Sequence, residues 1–280
     1  MVRRRKMKNK ASGMTGGLGF LLSVIALSSL YPLLQSTWAQ EDSTEGDSWS
    51  TLDPIMGVTP KAKKILSNMS EYLASKPEFT VKAEVTYDSL IWDSQKIQFG
   101  GSAEAAVRRP DRLHLKFRGD ERNLQAVFDG KKFNLLDITA NVYTTVESES
   151  SIDAALDRVY DDYGVSIPLG DLIHSDPYAT LMGSVQSGFS MGVHNVGGVP
   201  CDHLAFTQES IDWQIWIEAG PKPVPRKIVI SYKDAPGSPQ YTATYSDWNF
   251  SPGLAGRHFE FRPPEGADKI EFLPPEEFEE

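Results

Sequence analysis

From residue 79 onward, apolar and polar residues alternate in short runs. Val81, Ala83, Val85 and Tyr87 share one parity, and Lys82, Glu84, Thr86 and Asp88 the other. That period of two predicts a strand with one buried face. The alternation resumes over 96–107, where Gly100-Gly101 predicts a bend or bulge. It returns at Leu113, Leu115 and Phe117, opposite His114, Lys116 and Arg118. Residues 123–128 run into Asp129-Gly130, a strong hairpin signal, and 132–137 and 141–147 complete a meander. A second series covers 185–196, 201–208, 212–219, 226–233 and 240–249. Gly197-Gly198, the prolines 221, 223 and 225, and Pro236-Gly237 punctuate it. In that series Trp213, Ile215 and Ile217 share a face, with Trp216 opposite.

Two regions change to a helical period. Thr59-Pro60 reads as an N-cap followed by proline at the first helical position. Ile65, Met69, Tyr72 and Leu73 then define the expected inner face of a helix over 61–75, which Lys76-Pro77 stops. In the middle of the chain, Ile152, Leu156, Val159 and Tyr163 have helical spacing, and shorter helices are predicted over 171–174 and 177–182. The stretch 164–192 is rich in small, flexible residues and reads as a mobile cover. The fold class is therefore α+β and mostly β: an antiparallel sheet that curves or closes, with a few helices.

The ends add location. Arg3, Arg4, Arg5, Lys6, Lys8 and Lys10 precede an apolar run from about residue 18 to 34, followed by Thr37-Trp38-Ala39. Basic, apolar, small-x-small is the pattern of a secretory signal over 1–39. Cleavage makes the chain periplasmic, and an uncleaved signal makes it membrane-anchored. Residues 40–58 read as an acidic disordered linker, 59–273 as the folded domain and 274–280 as an acidic tail. Loss of the signal takes the net charge from −10 to −16. That balance argues against nucleic acid as a partner. Cys201 is the only cysteine, so no intramolecular disulfide and no cysteine-based zinc site can form.

Candidate chemistry is sparse. Cys201 and His203 point to the same face of a strand, so ligation competes with an ordinary buried thiol and strand histidine. His114, His174, His194 and His258 show no ligand spacing. Asp153, Asp157, Asp161 and Asp162 lack EF-hand spacing and read as a solvated helix face. Gly188-Phe189-Ser190-Met191-Gly192 matches Gly-x-Ser-x-Gly in letters alone, inside the strand expected over 185–196 rather than at a strand-to-helix elbow, and no phosphate loop is present. No cofactor, no metal site and no catalytic residue are expected.

One set of short motifs carries a resemblance. Arg109-Pro110-Asp111-Arg112-Leu113 ends one strand and opens the next. Val127-Phe128-Asp129-Gly130-Lys131-Lys132-Phe133 supplies the turn, followed by Val142-Tyr143. Pro263-Pro264-Glu265-Gly266-Ala267 follows what reads as a Phe-rich strand (Phe259, Phe261). This pattern resembles the LolA/LolB-type periplasmic lipoprotein-carrier superfamily. Gly198-Val199-Pro200-Cys201-Asp202-His203-Leu204-Ala205-Phe206 and Asp212-Trp213-Gln214-Ile215-Trp216-Ile217 resemble an uncharacterised family of predicted periplasmic proteins within it. The resemblance implies an unclosed half-barrel wrapped around helices, with an apolar cavity between them. It also implies that Arg109 latches the helical lid. The longer second half departs from the carriers and leaves lipoprotein cargo open.

The expected function is that of an exported, monomeric, non-catalytic protein that binds lipid or another hydrophobic ligand. Its cavity lining is expected from Val81, Val85, Leu113, Leu115, Phe117, Trp213, Ile215 and Ile217. The partners are an acyl ligand and, in a carrier role, a lipoprotein or envelope protein. The alternative is an envelope interaction module whose interior is filled by its own side chains.

Overall fold

The computed structural model describes residues 57–271 apart from 92–94, 149–150, 166 and 168. The expected signal, most of the expected linker and the acidic tail lie outside the described residues. Two long strands lie mid-sheet, β2 (Glu78–Ile91) and β3 (Gln95–Arg108). The first meander continues through β4 (Arg112–Gly119), β5 (Asn123–Phe128), β6 (Lys132–Asp137) and β7 (Val142–Glu147). The second meander is β8 (Ser187–Val196), β9 (Val199–Thr207), β10 (Ile211–Glu218), β11 (Pro225–Tyr232) and β12 (Gln240–Asn249). The two join where β12 pairs with β2, giving one curved, unclosed sheet.

All inner pairings are antiparallel, as the alternation predicts. The edges depart from that expectation. β1 (Gly57–Val58) pairs parallel with β8, and β13 (Asp268–Lys269) pairs parallel with β7. Short edge strands offer little template for pairing with another chain. Gly57 and Val58 also place the end of the expected linker inside the sheet.

Gly100-Gly101 does not form the expected bulge, because the β2–β3 register runs unbroken through both residues. These glycines make room instead. A Cβ at Gly101 would lie 2.6 Å from the Arg118 carbonyl oxygen and 2.7 Å from Phe117 Cζ. Gly101 faces Gly119 across the strands, and the Phe117 ring lies over both.

The concave face is covered by helices. Thr59 Oγ1 accepts from the Ala62 N–H at 3.4 Å and opens α1 (Pro60–Ala74), with Pro60 in the first turn. Its fully buried stripe is Ala62, Leu66, Met69 and Leu73, while Ile65 and Tyr72 are half-buried on its flank. The inner face is thus turned slightly from the one expected. α2 (Ile152–Tyr163) is capped by Ser151 and ends at Gly164 with φ 65°. α3 (Gly170–Ile173) and α4 (Pro177–Met182) complete the cover, α3 packing on α2, α4 and α1. The cover ends before Ser187, so the last part of the expected mobile stretch is strand β8. No described helix is long and apolar enough to cross a membrane.

Candidate functional site: the covered concave face and its arginine turn

The alternating residues of both meanders meet the helices in one buried cluster. Val81, Val85, Leu113, Trp213, Ile215 and Ile217 are each no more than 3% exposed. Leu115 and Phe117 are half-buried and pack against the same cluster. Phe206 stacks on Trp213 across the β9–β10 pair, with ring centroids 4.2 Å apart. Gly188 lets the Phe206 ring pass, since a Cβ there would lie 2.3 Å from it.

Arg109 stands in the turn between β3 and β4, and three helices converge on that turn. The Arg109 N–H donates to the Pro77 carbonyl at 2.8 Å, just beyond α1. The Ile152 N–H, at the start of α2, donates to the Pro110 carbonyl at 2.8 Å. The Arg109 side chain donates through Nη1 to the Ile173 carbonyl at the end of α3, at 2.6 Å. Burial disfavours the charged guanidinium and lowers its pKa, while Asp153 favours the charge. Asp153 is engaged elsewhere: it accepts from the Ser175 N–H at 3.0 Å and from the Ser175 hydroxyl, which pins α2 to the segment after α3.

The concave interior also holds polar groups. Trp213 Nε1 and the Tyr241 hydroxyl are buried and make no hydrogen bond among the described residues. Tyr241 and Trp213 lie in one cross-strand row, with Ile230 between them. Burial raises the Tyr245 pKa well above its usual range, with Tyr241 and Asp171 adding to it.

Cys201 and His203 do not meet at a ligand site. Cys201 is wholly buried, and its thiol donates to the Val199 carbonyl at 3.3 Å. His203 Nε2 lies 3.0 Å from Gln214 Oε1, and its Nδ1 lies 2.9 Å from His194 Nδ1. Its ring stacks on Trp216 at 4.0 Å, over which Lys227 sits at 4.9 Å from the centroid. Burial lowers the His203 pKa, consistent with a neutral ring whose two nitrogens are both engaged. Among the described residues, no three His, Cys, Asp or Glu side chains are grouped to hold a metal ion.

Sequence reasoning missed the convex face. After β12 the chain crosses back over the outside of β2 to β5 as a strap and ends in β13. Gly253 N–H donates to Glu78 at 3.2 Å, and Arg108 Nη2 donates to the Leu254 carbonyl. His114 Nδ1 lies 2.8 Å from the His258 carbonyl, and its Nε2 lies 2.9 Å from Gln125 Nε2. The His114 ring is therefore neutral, donating through Nδ1 and accepting through Nε2. The strand expected at Phe259 and Phe261 does not form: Gly256–Phe259 is a 3-10 turn of the strap packed on β4, and Phe259 is its buried side chain. Two grooves border it, of about 350 and 670 Å³, both lined by His114, Lys116 and His258. The only sequence signal was the Phe259 and Phe261 alternation, which is too short to name its partners.

No curated protein matches the chain. Among solved structures, the Mycobacterium tuberculosis lipoprotein LppX is 15% identical with a TM-score of 0.42, covering 68% of this chain and 96% of that one. An uncharacterized conserved protein from Thermus thermophilus is 11% identical with a TM-score of 0.44, covering 75% and 98%. A LolA superfamily protein from Nitrosomonas europaea is 10% identical with a TM-score of 0.35, covering 71% and 97%. Likenesses at this level carry no argument about ligand or activity.

The family model described as "Predicted periplasmic protein (DUF2092)" matches residues 62–273, nearly the whole described fold. That description agrees with the periplasmic location read from the N-terminal pattern. The chain belongs to this family of predicted periplasmic proteins.

Proposed function

We propose that this protein binds a lipid or another acyl ligand, without catalysis, between the concave face of its sheet and the helices α2 to α4. The observation that carries the reading is the junction at Arg109. An apolar sheet face is closed by short helices, and few polar bonds hold them down. Helices as short as α3 and α4 are not stable alone and depend on packing for their position. Displacing them would open apolar surface from both meanders. Each buried methylene of a ligand would then contribute about 0.8 kcal/mol. Val81, Val85, Leu113, Leu115, Phe117, Trp213, Ile215 and Ile217 would line the opened site, with Arg109 as its latch.

A second reading is favoured by one observation: six of those eight side chains are already at most 3% exposed. An interior filled by its own side chains would serve an envelope interaction module instead. Titration with a fluorescent fatty acid separates the two. Saturable uptake, displaced by unlabelled fatty acid, is expected for the binding protein. Absence of uptake from protein shown to be folded would favour the module.

A further inference from the structure

Among the described residues, only one of the three nitrogens of the Arg109 guanidinium has a hydrogen-bond partner. Nη1 donates to the Ile173 carbonyl, whereas Nε and Nη2 are buried and make no hydrogen bond among the described residues. Those two nitrogens form one edge of the guanidinium plane, with parallel N–H bonds. That edge is the fork that holds a carboxylate or phosphate side-on. Among the described residues, the elements that meet at this turn contribute apolar side chains: Val107, Leu113, Ile152 and Ile173 are each at most 1% exposed. Asp153 is the described carboxylate whose charge favours the Arg109 cation, but it is bonded to Ser175 and lies beside His174. Arg109 makes no ion pair with it, nor with any other described residue. Leaving the buried edge of a part-buried guanidinium unpaired is costly, and that fork is ready for an anion supplied from outside.

We propose that the Nε/Nη2 edge of Arg109 receives the anionic head, carboxylate or phosphate, of an acyl ligand whose tail lies against the concave face. This rests on the lipid-binding reading above and adds the head-group chemistry to it. One residue then has two tasks on two edges. Nη1 holds the cover, and the opposite edge holds the ligand, so an anion that reaches Arg109 also steadies the guanidinium that closes the lid. A neutral ester of the same chain length would fill the apolar space but leave the cation unpaired.

The test compares three probes of equal chain length at pH 8: hexadecanoic acid, its methyl ester and hexadecyl phosphate. Each competes with a fluorescent fatty acid on the purified protein. The acid or the phosphate is expected to bind about tenfold more tightly than the ester. Whichever anion is stronger identifies the head group. Arg109→Gln is expected to bring both anions to the level of the ester. Equal affinity of the folded wild-type protein for all three overturns the head-group inference while leaving lipid binding intact, and needs no variant. Failure of all three to bind overturns the lipid-binding reading and this inference with it.

Discussion

Arg109 Nη1 lies 2.6 Å from the carbonyl oxygen of Ile173, so a side chain from a sheet turn closes the end of a four-residue helix 64 positions away. Charge-assisted bonds of this kind contribute about 1.5–3 kcal/mol. Arg109→Leu is expected to speed release of a bound fluorescent acyl ligand by roughly tenfold or more. Overall stability should change little, because the substitution also removes a half-satisfied buried charge. Stopped-flow release and urea denaturation check the two parts. Unchanged release would count against the latch.

The strap over the convex face gives a pH dependence. Burial, then His258 and Lys116, push the His114 pKa down to about 4 from 6.5. The unfolded chain therefore takes up the proton first, so the contribution is full above pH 6.5 and is lost as pH falls toward 4. The full shift corresponds to about 3 kcal/mol, and solvent screening of this half-buried ring reduces it to about 1–2 kcal/mol. Urea midpoints at pH 7 and pH 4.5 are expected to differ more for the wild type than for His114→Gln. Equal differences would remove His114 as the cause.

Two neighbouring glycines should behave differently. Gly101→Ala places a methyl group against backbone at 2.6 Å and against the Phe117 ring, and is expected to cost about 1–3 kcal/mol. Gly100→Ala meets its nearest atom at 3.5 Å and is expected to be neutral or to stabilise by up to about 1 kcal/mol. Denaturation midpoints of the two variants decide it. Equal effects would show that the Phe117 ring does not need the space.

Ile215 is wholly buried on the concave face beside the Trp213 stack. Ile215→Ala is expected to destabilise the ligand-free protein by about 2–5 kcal/mol through lost burial and the cavity left behind. If the ligand lies against this face, saturating fatty acid should recover part of that loss as a rise in melting temperature. A ligand-induced rise in the wild type with none in the variant would place the ligand elsewhere.

The parts of this fold that were legible in the sequence are those with a local period. Val81, Ala83 and Val85, and likewise Trp213, Ile215 and Ile217, announce a buried face by alternation alone. Asp129-Gly130 and Gly197-Gly198 mark hairpins because these glycines adopt positive φ there. Pro177 marks the start of α4. What was not legible depends on distant partners. The strap has no period, and its bonds join His114 to His258 across 144 positions. The parallel edge pairs involve two residues each, too few to alternate. Gly100-Gly101 carries the composition of a bulge, but the decisive neighbour is a ring on the next strand. At Arg109 the motif indicated the turn; which edge of the guanidinium is satisfied follows only from where α3 ends.

The most direct test of ligand binding is native mass spectrometry of the protein purified from the periplasm without detergent. The expected result is a population heavier than the polypeptide by one acyl lipid, which is stripped on denaturation and released more readily from Arg109→Leu. A single species at the bare polypeptide mass, from protein that also takes up no added fatty acid, would contradict it.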